Sequence, residues 1–139
     1  MKQVKIITAQ EAAQLVKDGD VVTTNGFVGS GQPEALTSAL EERFLNTGSP
    51  RDLTLIYAAS QGNTDGRGGD HFAHEGMLKK AILGHWNAVT ALQKLVNENK
   101  IQAYNLPQGT LSQYFRDVAA HRLGTITPVG LDTFADHRI

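Results

Sequence analysis

Val21-Val22-Thr23-Thr24-Asn25-Gly26-Phe27-Val28-Gly29-Ser30-Gly31-Gln32-Pro33 is the stretch that decides how this chain folds. Four β-branched residues, Val21 to Thr24, read as a buried strand. Asn25 to Gly31 is a glycine-rich turn. Pro33 sits where a helix takes its first residue, since the missing N–H costs nothing there. Ala35, Leu36, Ala39, Leu40 and Phe44 then recur at helical spacing through to Leu45. Strand, glycine turn and helix in this order open a β-α-β unit.

Reading outward, the same alternation continues. Upstream, Thr8-Ala9-Gln10-Glu11 is a capping box that starts a short helix through Ala12, Ala13, Leu15 and Val16. Lys17-Asp18-Gly19-Asp20 ends it, with Gly19 as a left-handed terminal residue. Downstream of the loop Asn46–Pro50, Leu53 to Ala58 is a second strand. Ser60 to Gly76 is irregular and holds Gly62, Gly66, Gly68, Gly69 and Gly76. Met77 to Lys80 reads as a short helix, Ala81 to His85 as a third strand and Val89 to Glu98 as a helix. Ile101 to Asn105 is a fourth strand, Leu111 to His121 a helix, and Thr125 to Val129 a candidate fifth strand. Such alternation predicts an α/β fold with a parallel sheet, and right-handed crossovers predict helices on both of its faces.

Composition narrows the chemistry. The 139 residues suit one domain. With 40% hydrophobic and 19% charged residues the chain is globular rather than disordered. Lys plus Arg is 13 and Asp plus Glu is 14, so the basic excess of a nucleic-acid binder is absent. There is no cysteine, which excludes disulfides, thiolate metal sites and a cysteine nucleophile. No apolar run approaches the roughly 18 residues that span a bilayer. Met1-Lys2-Gln3-Val4-Lys5 lacks the apolar core of a signal peptide. The expectation is a cytoplasmic protein with no nucleic-acid or membrane partner.

Several residue sets could carry chemistry. Gly26, Gly29 and Gly31 lie between a strand and a helix, where an open α/β sheet places ligands. Their spacing, G-x-x-G-x-G, is neither the dinucleotide fingerprint nor a phosphate-binding P-loop. The spacing leaves open a ligand loop or a plain tight turn. His71-Phe72-Ala73-His74-Glu75, with Asp70, fits no zinc-protease order and reads as solvated or structurally hydrogen-bonded histidines, not a metal site. His85-Trp86 reads as a partly buried aromatic pair, with a pocket wall as the alternative. Glu11, Glu34, Glu41, Glu42 and Glu75 read as caps or helix-surface charges, and Glu98-Asn99 as a solvated helix end. Gln108, between Pro107 and Gly109, follows a strand and opens a helix. Its neutral amide could donate to a carboxylate or thioester oxygen, or simply face water.

Two longer motifs then name a resemblance. Gly26-Phe27-Val28-Gly29-Ser30-Gly31-Gln32-Pro33-Glu34-Ala35-Leu36 is similar to the signature G-F-x-x-x-G-x-P-x-x-L of the family I coenzyme A transferases. Pro107-Gln108-Gly109-Thr110-Leu111 is similar to the second signature of the same half. The stretches Ala73–Gly76, Gly84-His85-Trp86 and Ala103-Tyr104-Asn105 resemble the single-chain acetate, propionate and 3-oxoacid transferases. The resemblance implies a sheet shared with ribose-5-phosphate isomerase and glucosamine-6-phosphate deaminase, here incomplete. It implies transfer of coenzyme A from a short-chain acyl-CoA to a free carboxylate through a glutamyl-CoA thioester, in fatty-acid or ketone-body metabolism. Coenzyme A is then a substrate, and no permanent cofactor or metal is implied.

Carried over by residue, the resemblance places Gly26, Phe27, Val28, Gly29, Ser30, Gly31, Ser60, Gln108 and Gly109 against the substrate. Ala59-Ser60 falls where some relatives carry a polar asparagine pair, so only Ser60 keeps a side-chain donor. The family's nucleophilic glutamate lies in a Glu-Asn-Gly segment of the second half, and no Glu-Asn-Gly occurs here. The expectation is that residues 1–139 are the N-terminal α-type part of a transferase. It carries no catalytic residue of its own and is inactive alone. It works with the second half or a β-subunit, in a homo- or hetero-oligomer, and would self-associate through uncovered apolar surface. The alternative is a non-catalytic acyl-CoA or sugar-phosphate binding module of the same fold.

Overall fold

A computed structural model describes residues 4–136 and 138. The Met1–Gln3 part of the N-terminal reading, and His137 and Ile139, lie outside the described residues. The elements are α1 (Ala9–Ala13), β1 (Val21–Thr23), α2 (Glu34–Thr47), β2 (Leu53–Tyr57), a 3-10 turn (Gly68–Phe72), β3 (Leu78–Leu83), α3 (Thr90–Asn97), β4 (Gln102–Asn105) and α4 (Gln108–Ala119). All four strands are parallel and lie in chain order, β1-β2-β3-β4. This is the α/β parallel architecture expected from the alternation.

Its layering differs from the expectation. Every crossover steps the same way across the sheet, so one handedness puts the connecting helices on one face, not two. The contacts agree: α1 packs on α2, and both α2 and α3 pack on the 3-10 turn. The core lies under this layer, where Leu53, Leu55, Tyr57, Ala81 and Leu83 of the sheet meet Leu40, Phe72 and Leu92. On the opposite face Val21 is 65% exposed and Tyr104 39%. A groove of about 580 Å³ also opens between α1, β1 and α2, lined by Val16, Val22, Leu36 and Phe115 among others.

Local chemistry explains most element ends. The Thr8 hydroxyl accepts from the Glu11 amide, and the Glu11 carboxylate accepts from the Thr8 amide, as the capping box requires. The helix is shorter than the apolar pattern suggests and ends at Ala13. Arg43 of α2 donates to the Ala13 and Val16 carbonyls, binding its exit to α2. Gly19 does adopt the left-handed conformation.

Two expected elements are corrected. Met77–Lys80 is not helical, and β3 already begins at Leu78. The register slips between Leu53↔Leu78 and Thr54↔Lys80, so Lys79 bulges out of the ladder and breaks the alternation that would have shown a strand. Lys80 stays in register with its ammonium 5.9 Å from the Tyr104 ring centroid. Thr125–Val129 forms no strand either. Asp117, buried on α4, accepts from Gln113, Arg122 and Thr125, and these side-chain bonds hold the segment instead of a ladder. The Thr125 hydroxyl leads these contacts in keeping the Asp117 carboxyl below its ordinary range. No helix among the described residues is long and apolar enough to cross a membrane.

Candidate active site

Each strand delivers one part of a cleft at its carboxyl end. Phe27 and Val28 follow β1. Ser60, Asn63 and Thr64 follow β2. His85, Asn87 and Ala88 follow β3. Gln108 follows β4. Together they enclose about 470 Å³. A parallel sheet gathers its loops at this edge, and this is where such folds bind ligands.

Hydrogen bonds lock the loops to one another. Val28 N–H donates to the Ser60 carbonyl at 2.8 Å, and Gly62 N–H donates back to Val28 at 3.0 Å. Ala88 N–H donates to Ser60 Oγ at 3.2 Å, leaving the hydroxyl proton of this buried serine to donate elsewhere. Thr64 N–H donates to the Ala88 carbonyl. Gln61 binds the end of β1: its Nε2 donates to the Thr24 carbonyl, and its Oε1 accepts from the Thr24 hydroxyl at 2.6 Å. The segment 60–64 is therefore a shared wall between the glycine-rich turn and the 85–89 loop.

The glycine-rich turn is a tight reversal. Phe27 and Ser30 exchange backbone hydrogen bonds at 2.9 and 3.0 Å, with Val28 and Gly29 at the tip. Gly26 is required because a Cβ there would meet the Gln32 backbone at 3.0 Å. Of the nine residues placed against substrate by motif, Phe27, Val28, Ser60 and Gln108 line the cleft. Gly29 lies at the turn tip beside Asn63. Gly26, Ser30 and Gly31 shape the turn without lining the cleft, and Gly109 lies in the first turn of α4. Asn63, Thr64, Asn87 and Ala88 join the cleft without any motif of their own. His85 lines it too, so the pocket-wall alternative holds for His85.

Gln108 stands on Gly84. A Cβ at Gly84 would overlap the Ala58 carbonyl oxygen and meet Gln108 Cγ at 2.7 Å. Gly84→Ala should therefore cost about 1–3 kcal/mol through overpacking and displace Gln108. Thermal unfolding together with the Gln108 side-chain amide NMR signals checks this. An unshifted amide would show that Gly84 does not seat the glutamine.

Behind the turn lies a cluster that the bland reading of Glu34 and Glu41 missed. These residues sit on one face of α2 and grip the same imidazole. His71 Nδ1 is 2.6 Å from Glu41 Oε2, and His71 Nε2 is 2.8 Å from Glu34 Oε1. His74 Nε2 is 2.6 Å from Glu41 Oε1. Glu34 Oε2 also accepts from Gly68 N–H, and from the side chain of Gln32 in the glycine-rich stretch. Burial opposes the His71 cation, but its hydrogen bonds to the Glu34 and Glu41 carboxylates outweigh it and raise its pKa. Burial likewise opposes the Glu34 anion, yet His71 and the Gly68 amide hold it below its ordinary value. Nearby, Asp70 Oδ1 accepts from Ala91 and Leu92 N–H and caps α3 across the fold. The histidines are structurally hydrogen-bonded. Among the described residues no group of three or more His, Asp and Glu is arranged to hold a metal ion.

The coenzyme A transferase family model matches residues 6–139. The chain belongs to the coenzyme A transferase family. It is similar to the acetate CoA-transferase YdiF of Escherichia coli K12, 38% identical over 138 residues, which cover 98% of this chain and 26% of YdiF. It is 30% identical over 132 residues to the acetate CoA-transferase subunit alpha of the same strain, covering 95% of this chain and 57% of that subunit. Its fold matches the crystal structure of YdiF from Escherichia coli O157:H7 as a thioester complex with CoA, at a TM-score of 0.89 and 37% identity. That match covers 95% of this chain and 27% of the other. The chain thus spans about a quarter of YdiF's length.

Proposed function

We propose that this chain supplies the glycine-turn and glutamine side of a CoA-transferase site, which moves CoA from a short-chain acyl-CoA to a free carboxylate. The observation that carries this reading is the convergence of Phe27 and Val28 after β1, Ser60 after β2, His85 after β3 and Gln108 after β4 on one cleft. None of the cleft-lining residues is a carboxylate. In this reading the nucleophile is a glutamate outside these 139 residues. It attacks the thioester carbonyl carbon, and the C–S bond breaks to release CoA thiolate, leaving an acyl-glutamyl anhydride. The thiolate then attacks the glutamyl carbonyl, giving glutamyl-CoA and the free acid as its carboxylate. The acceptor carboxylate reverses both steps, so one negative charge is carried throughout. Gln108 donates an amide N–H to the carbonyl oxygen as it becomes an oxyanion, and the Ser60 hydroxyl holds a second donor in the same cleft. Acyl-CoA and carboxylic acid are the ligands, and the glutamate-bearing half, on the same or another chain, is the partner.

The test is acetate–propionyl-CoA exchange by the chain alone and by a chimera joining it to the remaining three quarters of YdiF. The expected result is exchange, and a covalent CoA adduct by intact mass, in the chimera only. Exchange at an enzyme's rate by the chain alone would overturn the missing-nucleophile reading. Saturable acyl-CoA binding without exchange in either protein would make the chain a binding module. That alternative is kept because no cleft-lining residue is a carboxylate.

A further inference from the structure

Val28 is a β-branched residue with φ of 52°. The left-handed region is hostile to valine, and the first central position of a two-residue reversal such as Phe27–Ser30 is normally glycine's. Conformations of this kind persist only where the surroundings impose them. Here two backbone hydrogen bonds to the 60–62 segment do so. Glycine would fit the same backbone without strain, and the chain carries glycine at the next position. What valine adds is its side chain, which lines the cleft.

The other lining residues show what that side chain is for. Asn63, Thr64, His85, Asn87, Ser60 and Gln108 are polar, and suit a thioester or carboxylate. Phe27, Val28 and Ala88 are the apolar lining, the natural seat of an acyl tail. Phe27 is 66% exposed and Val28 40%, and Ala88 is small and buried. Val28 is the one branched apolar side chain whose backbone is tied on both sides.

We propose that Val28 is a specificity-determining residue, a fixed apolar wall of the cleft that restricts it to short acyl chains. This inference rests on the CoA-transferase reading of the same cleft. The strained backbone is retained because it aims the isopropyl group at the tail.

Two variants separate wall from strain. Val28→Gly removes both, and Val28→Ala removes the wall while keeping a Cβ. The measurements are melting temperature, and affinity for acetyl-, butyryl- and octanoyl-CoA, in the 139-residue chain and in the YdiF chimera. Val28→Gly should melt about 2–5 °C higher despite adding a glycine. Both variants should gain about tenfold in octanoyl-CoA affinity relative to butyryl-CoA, the scale on which an apolar pocket reads methylenes. A wild-type chain-length profile retained in both variants would overturn the proposal and leave the transferase reading standing. A Val28→Gly variant that melts lower would overturn the strain argument. Failure of the wild-type proteins to bind any of the three esters would overturn the site reading, and this inference with it.

Discussion

Replacing Gln108 with alanine should lower kcat for acetate–propionyl-CoA exchange in the chimera by about 10²–10³-fold, the usual cost of losing one oxyanion donor. The KM for propionyl-CoA should change little, because in the proposed mechanism the amide serves an oxygen whose charge grows only as the thioester is attacked. Gln108 is exposed at the first turn of α4 and stands on Gly84, so its loss leaves no cavity. The melting temperature should therefore stay within about 1 °C of wild type. Gln108→Glu keeps the shape but puts a carboxylate where negative charge develops, and it should be at least as damaging. A kcat within threefold of wild type for Gln108→Ala would remove the glutamine from the chemistry.

His71→Ala should be among the most destabilising of the substitutions considered. The imidazole is 10% exposed and lies between two carboxylates, Glu41 at 25% and Glu34 at 38%. Removing one member of a buried ion pair costs about 3–5 kcal/mol, and the part-open carboxylates discount this to about 2–3 kcal/mol. The melting temperature should fall by about 10 °C. His74→Ala, which loses one carboxylate contact and its stacking on Phe44, should cost about 1 kcal/mol. Equal losses for the two variants would show that the bridge between Glu34 and Glu41 adds nothing.

The same cluster sets a pH signature. The His71 pKa is raised in the folded state, so its contribution is complete below the ordinary 6.5 and is lost as pH rises through the folded value. The Glu34 pKa is lowered, so its contribution is complete above the ordinary 4.5 and is lost on acidification. The network therefore stabilises the fold most between about pH 4.5 and 6.5. Burial raises the Asp70 pKa beside it, so Asp70 also favours lower pH. Subtracting the profile of His71→Gln, measured by chemical denaturation, isolates the histidine. A difference between the two profiles that stays flat above pH 6.5 would mean that His71 is not a cation in the fold.

The sequence was legible wherever short-range chemistry sets the structure. The capping box at Thr8, the glycine turn after β1 and the placement of Gln108 at a helix start all depend on neighbours within a few residues. The motifs found four cleft residues for the same reason, since they mark strand ends. Lys79 hid the start of β3 because a bulge is a property of two paired strands, and one strand cannot show it. Thr125–Val129 has strand composition, but Asp117 competes for Thr125, and no local pattern reveals that. Glu34 and Glu41 stand seven apart on α2, a spacing that does signal a shared face. What they share it for, His71, comes from a loop 30 residues further on. Thr64 and Ala88 reach the cleft through loop–loop hydrogen bonds, with Asn63 and Asn87 beside them, and only the folded backbone shows which loops meet.

The sequential order of the sheet bears on how the protein is made. Val21 pairs with Thr54, Thr54 with Lys80, and Lys80 with Gln102, so each strand docks on the one completed just before it. A chain leaving the ribosome can lay down these four described strands one unit at a time, each pairing with one already made. The cleft fills in the same sequence, from the glycine turn first to Gln108 last. Synthesis past Gln108, at the start of α4, is thus the earliest moment at which all four parts of this cleft exist together.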